Sequence, residues 1–145
     1  AEASIIVKAA AVADFRPAQH SREKIKKRAE GAMTIALEKN PDILAELGQQ
    51  KRAGQLLVGF AAETGDLLAQ ATRKLKEKNL DLIVANDVTQ AGAGFDVETN
   101  IVRLLYADGR VEDLPQMSKL EVAGQILDRI LMLAARQRQQ SAASQ

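Results

Sequence analysis

SIIVKAAAVAD, residues Ser4–Asp14, is the stretch on which the fold turns. Ser4–Val7 is apolar and largely β-branched, as an interior strand should be. It gives way to Ala9, Ala10, Ala11 and Ala13, whose side chains are too small to hold a ligand off the backbone. Ligands of open α/β sheets bind at the carboxyl ends of strands, and Asp14 arrives where this strand should stop. On the segment alone two readings stay open. Either the strand runs out onto a site, or the alanines fill space under a helix and Asp14 is a turn residue.

The pattern repeats along the chain. Gln55–Ala61 is a second buried strand, QLLVGFA, ending in small residues and then Glu63. Leu80–Ala85 is a third, turning polar at Asn86 and Asp87. Helices alternate with these strands. Asn40-Pro41-Asp42 is a helix start, with Asn40 as cap, Pro41 in the first turn and Asp42 complementing the positive end. That helix is expected to run to about Gln50. A second helix spans about Asp66 to Lys78, with Leu67 or Leu68, Ala71 and Leu75 inward. Met33, Ile35 and Leu37 alternate with smaller or polar residues and predict a half-buried strand. Gln90–Phe95 is a glycine-bearing loop. Asp108-Gly109 between two apolar runs, Asn100–Ala107 and Arg110–Leu114, signals a hairpin. Ser118 with Glu121 forms a capping box, opening a helix whose Val122, Ile126, Leu127, Ile130 and Leu131 are expected to face the core.

The whole predicts an α/β fold, a Rossmann-like three-layer sandwich with a mostly parallel sheet and an edge hairpin. At 145 residues the chain fits one domain, taken as residues 1–135, with a disordered tail over 136–145. Twenty basic residues against 19 acidic ones leave a formal charge of +1, which argues against wholesale nucleic-acid binding. Cysteine is absent, excluding disulfides and thiol nucleophiles, and one histidine leaves little room for a zinc centre. No stretch approaches the roughly 18 consecutive apolar residues of a membrane span, and the chain is expected to be cytoplasmic.

Two basic features invite a phosphate. Arg22, Lys24, Lys26, Lys27 and Arg28 form either a solvated face or a mobile lid suited to a polyphosphate. Lys74 and Lys78, four apart on one helix face, are either a solvated pair favoured by the helix dipole or a phosphate clamp. Phe60, flanked by Gly59 and Ala61, has room to stack on a flat base. Neither a G-x-G-x-x-G turn nor a Walker loop is present.

The ordered segments KAAAVADF, EKIKK, KNPDIL, VGFAAET and KEKNLDLIVAND resemble phosphopantothenate–cysteine ligase, over about Ser4 to Ile130. In bacteria that enzyme is usually the C-terminal half of a bifunctional coenzyme A biosynthesis protein, fused behind a flavin-dependent decarboxylase. The resemblance implies a CTP-dependent ligation of 4'-phosphopantothenate with L-cysteine through an acyl-cytidylate. It also implies a homodimer, Mg²⁺ accompanying the triphosphate without a named protein ligand, and FMN only in the fused decarboxylase outside this chain. By the same resemblance Lys8, Ala9 and Ala10 line the nucleotide site, and Asp14 contacts CTP. Lys24 is the active-site lysine, carried on a flexible flap. Pro41, Asp42, Ile43 and Leu44 form the helix-start segment at the nucleotide. Phe60 lies beside the base, and Lys74 and Lys78 bind CTP.

Family members begin this domain with a strand, a glycine-rich segment and an R-x-I-S-N-x-S-S-G-like stretch, none of which is in this chain. The resemblance therefore implies an N-terminally truncated ligase domain, with little activity alone because an asparagine important to the acyl-cytidylate is missing. The competing expectation is a non-catalytic nucleotide-binding or assembly fragment. A redox Rossmann enzyme is less well matched, since its glycine fingerprint and ribose-binding acid are both missing.

Overall fold

Apolar and alternating runs become the strands of one sheet, and the one strand with an interior proline, at Pro115, lies at its edge. In the computed structural model, which describes residues 3–25, 33–63, 65–87 and 98–143, five strands line up in the order β1-β4-β5-β6-β7. They are β1 (Ile5–Lys8), β4 (Leu56–Glu63), β5 (Leu82–Asp87), β6 (Thr99–Tyr106) and β7 (Val111–Ser118). The β1–β4 and β4–β5 pairings are parallel, and β5–β6 and β6–β7 are antiparallel. Every strand except β6 therefore points the same way. β4 is longer than expected, continuing to Glu63, because its last residues pair with Asn86 and Asp87 of β5.

Period-2 alternation sorts the side chains onto two faces. Leu56, Val58, Leu82, Val84, Val102 and Leu104 pack under α3 (Lys119–Ala143), against its Val122, Ile126 and Ile130. Leu57, Ala61, Ile83, Ala85 and Leu105 pack under α1 (Ile43–Gln49) and α2 (Leu67–Glu77). Helices cover both faces, which is the predicted three-layer arrangement.

Local signals held where the chemistry was local. Asp66 caps α2, its carboxylate accepting from the Ala69 amide at 3.2 Å, and Leu67 rather than Leu68 turns inward. The Ser118 hydroxyl accepts from the Glu121 amide while Glu121 reaches back to the Ser118 amide at 2.9 Å, so the capping box starts α3. The hairpin closes through residues 107–109, with the Gly109 amide bonded to the Tyr106 carbonyl. Gly109 takes φ +88°, the left-handed backbone that glycine adopts without strain.

Three expectations are corrected. α3 continues through Ala143, so a helix occupies most of what was expected as a disordered tail, helped by its Ala- and Gln-rich composition. Leu127 and Leu131 are 56% and 59% exposed, because α3 turns a single stripe, Val122–Ile126–Ile130, to the sheet. α1 begins at Ile43, later than the Asn40 cap implied, because the Asn40 side chain is turned to the ribbon: its nitrogen donates to the Ala13 carbonyl at 2.7 Å and its oxygen, the atom a cap would use, accepts from Arg16 at 3.5 Å.

The described residues separate into two units, Ala1–Ala9 with Leu44–Gln145, and Ala10–Ile43. The first holds the sheet. The second contains a two-stranded antiparallel ribbon, β2 (Phe15–Pro17) with β3 (Leu37–Lys39), closed by a bond from the Asn40 amide to the Asp14 carbonyl and by an Arg16–Glu38 ion pair at 2.7 Å. The strand expected over Met33, Ile35 and Leu37 is reduced to Leu37–Lys39, with all three apolar side chains exposed. Two three-residue strands offer no second layer to bury an apolar face. The glycine-bearing loop at 90–95 and the lysines and arginine at 26–28 lie outside the described residues.

Candidate functional site

β1 and β4 carry small residues to the carboxyl end of the sheet, and the predicted site residues of the first unit distribute around them. Lys8 is the register partner of Gly59, and both belong to the α1–α2 face by alternation. Leu44, in the first turn of α1, is buried on that face. Phe60 belongs to the other face and is 39% exposed. With Val7 and Ala9 it lines a hollow of about 390 Å³, closed on its other side by Val122, Ile126 and Leu127 of α3. Asn100 and Lys119 supply the polar groups of that hollow. Sequence analysis missed both, since neither stands in a chemical motif. Only the antiparallel return of β6 and the start of α3 bring them to this end.

Phe60 and Ala9 thus share a hollow, while Lys8 and Leu44 sit across the sheet from it. An apolar floor with an aromatic ring and few polar groups suits a flat or branched small molecule more than a polyphosphate. Lys74 and Lys78 belong to neither place. α2 starts beyond the carboxyl end of β4 and runs back along the sheet, and eleven residues rise about 16 Å. Lys78 therefore caps the far end of the helix, near Gly48, and the structure does not gather it with Phe60.

Ala10, Asp14, Lys24, Pro41, Asp42 and Ile43 belong to the second unit. Asp14 and Lys24 are exposed, and the Asp14 carbonyl is engaged by Asn40. Pro41 and Asp42 lead directly into α1. The chain crosses between the units at Ala9–Ala10 and again at Ile43–Leu44, both inside segments that the sequence marks as site-forming. Among the described residues no group of three or more His, Asp or Glu converges as a metal site. No described helix is long and apolar enough to cross a membrane.

Apart from Glu121, whose carboxyl the Ser118 hydrogen bonds hold low at the start of α3, the displaced titrations lie at the hairpin and the α3 residue packed on it. Burial, then the hydrogen bond to Glu112 at 2.9 Å, pushes the Tyr106 hydroxyl up to about 12. The Arg129 guanidinium, bonded to Glu112 at 2.6 Å, holds that carboxyl below its usual range. Arg110 covers the Tyr106 ring at 4.3 Å. These contacts pin α3 to β6 and β7. They are structural in character, since each charged group already has a protein partner.

Residues 1–133 match the family model described as the DNA/pantothenate metabolism flavoprotein C-terminal domain. The coenzyme A biosynthesis bifunctional protein CoaBC of Bacillus subtilis is 52% identical over 130 residues, covering 90% of this chain and 32% of that protein. The chain therefore spans about a third of that curated relative. A crystal structure of the C-terminal domain of a CoaBC protein superposes with a TM-score of 0.71 at 40% identity, covering 93% of this chain and 57% of the solved one. A Cab2 variant in complex with phosphopantothenate-cysteine has a TM-score of 0.65 at 21% identity, covering 92% of this chain and 45% of that one, a likeness of fold.

Proposed function

This chain belongs to the DNA/pantothenate metabolism flavoprotein C-terminal domain family, and from that membership we propose that it is the nucleotide-binding part of a CTP-dependent phosphopantothenate–cysteine ligase. The observation that carries the proposal is the 52% identity to a coenzyme A biosynthesis bifunctional protein across 90% of the chain. The five motif segments fall inside the matched region and supply its candidate residues.

In the proposed reaction a carboxylate oxygen of 4'-phosphopantothenate attacks the α-phosphorus of CTP. Pyrophosphate leaves and an acyl-cytidylate forms. The amino group of L-cysteine then attacks the acyl carbon, CMP departs, and the amide product carries the new C–N bond after the amine loses its proton. Lys24 places an ammonium where negative charge builds during the first step, and a segment that closes over the acyl-cytidylate keeps water from hydrolysing it. The small side chains of Ala9 and Ala10 leave backbone amides and carbonyls open to the nucleotide, and Phe60 supplies a flat apolar surface for the cytosine. Asp14 and the Pro41–Leu44 segment are taken to contact CTP on the resemblance of the VADF and KNPDIL segments. Mg²⁺ is expected to arrive with the triphosphate, held by phosphate oxygens and water.

Lys74 and Lys78 are the weakest members of the set, because α2 runs back along the sheet and carries Lys78 to the end opposite Phe60. Calorimetric titration of the chain with CTP and with ATP tests the proposal. CTP is expected to bind more tightly, and Lys24→Gln to weaken it. Equal affinity for the two nucleotides, or no binding of either, overturns the assignment.

A further inference from the structure

Gly59 sits where a strand should carry a large residue. β4 is the second strand of the sheet, paired on both sides, and its neighbours Leu57, Val58 and Ala61 are all buried. Glycine in such a position weakens the strand unless another group needs the space. Here two groups do. A Cβ on Gly59 would lie 2.8 Å from Leu44 Cδ2 and 2.9 Å from Leu80 Cδ1, closer than carbon atoms tolerate. The missing side chain is therefore the seat for the first turn of α1.

Three predicted site residues bracket that seat. Lys8 is the register partner of Gly59 on β1, Phe60 is the next residue of β4, and Leu44 fills the space that Gly59 leaves. The other end of α1 is seated in the same manner, since a Cβ on Gly48 would overlap the Lys78 carbonyl. The Asn79 side chain also donates to the Gly48 carbonyl at 3.0 Å. With its far end fixed, the helix answers crowding at Gly59 by lifting its first turn.

We propose that Gly59 is a positioning residue for the nucleotide site: it sets the height of the first turn of α1 above β4, and so the place of Leu44 relative to Lys8 and Phe60. The assignment rests on the nucleotide-binding function proposed above. The atoms that the new Cβ meets are side-chain tips and not backbone, so Gly59→Ala leaves the fold standing while it forces Leu44, and the turn that carries it, from its seat.

The test is CTP titration of the unaltered chain, Gly59→Ala, and Gly59→Ala with Leu44→Val, with the melting temperature of each measured alongside. Gly59→Ala is expected to weaken CTP by about threefold to tenfold, below the hundredfold that a full ångström of misplacement can cost. Leu44→Val removes the one δ-methyl of α1 that the new Cβ meets and leaves only the Leu80 contact, which is not on the helix, so the double variant is expected to recover part of the affinity. Leu44→Val alone, which loosens the same seat without crowding it, covers the case in which Gly59→Ala does not fold, and is expected to weaken CTP by a smaller factor. A lowered melting temperature with unchanged CTP affinity in Gly59→Ala, or in Leu44→Val where it stands alone, makes the glycine merely structural and overturns its positioning role. Weakened affinity of which the double variant recovers no part overturns it as well. Failure of the unaltered chain to bind CTP is a separate result, which removes the nucleotide function and the role of Gly59 with it.

Discussion

The two faces of the sheet are covered by different means. On the α1–α2 face the backbones come close, with Gly48 and Gly59 leaving room for Lys78, Leu44 and Leu80. A half-hidden ion pair locks the arrangement from below. The Asp81 carboxylate accepts from the Leu57 amide at 2.7 Å and from Lys51 at 3.1 Å, while Lys51 also donates to the Asn79 carbonyl. On the α3 face one long helix lies on a broad apolar surface, pinned near its middle by Arg129 and Glu112 and lining the hollow by Phe60 with its first turns. One face is fitted by its backbone and the other by side chains alone. Substitutions should therefore be costly on the first face and graded on the second.

Asp81→Ala gives the largest effect. It orphans the Leu57 amide and leaves Lys51, whose side chain is only 15% exposed, without its counter-charge. A loss of about 3 kcal/mol in unfolding free energy is expected by denaturant titration, at the low end for a buried pair that has lost one partner because some water reaches the site. A loss under about 0.5 kcal/mol, the range of an exposed pair, would show that this face is no more tightly fitted than the other.

Acid should weaken the α3 face first where Arg129 and Glu112 pin it. The carboxyl of Glu112 titrates lower in the folded chain than its ordinary value of 4.5, chiefly through its bond to Arg129. Its contribution is therefore complete above that ordinary value, and disappears as pH falls through the depressed one. Replacing Arg129 with Met should flatten this acid limb in a melting-temperature series, while the slope at neutral pH stays unchanged. An identical acid limb in both chains would assign the loss to other carboxylates.

Leu127→Gln should do least. The side chain is more than half exposed at the lip of the hollow, and a change within about 0.5 kcal/mol is expected for a surface site of this kind. A loss of several times that would mean that Leu127 is covered in solution, and that the α3 face is more closely fitted than its side-chain packing suggests.

Much of this was legible in the chain because the determining physics is short-ranged. The Ser118–Glu121 box and the Asp108-Gly109 turn each depend on residues a few positions apart, and each formed as read. The apolar runs IIVK, LLVGFA and LIVAND read as strands from composition alone, and strand geometry then divides their side chains between the two faces. The errors lie where a distant partner decided. Asn40 was read as a helix cap, yet its amide went to Ala13, 27 residues earlier. Met33, Ile35 and Leu37 have the period of a buried strand, but burial also needs an opposite layer, which the ribbon by itself does not have.

The sequence by itself therefore determined the element types, the layered α/β class and the family, since these follow from local periodicity, caps and matched motifs. Only the tertiary structure decided which candidate residues can act together. It put Phe60 with Ala9, Asn100 and Lys119, carried Lys78 to the far end of α2, and left the space at Gly59 that Leu44 of α1 occupies. The reason is physical. Strand direction and helix length fix which ends of distant segments meet, and neither is written in the residues of a motif.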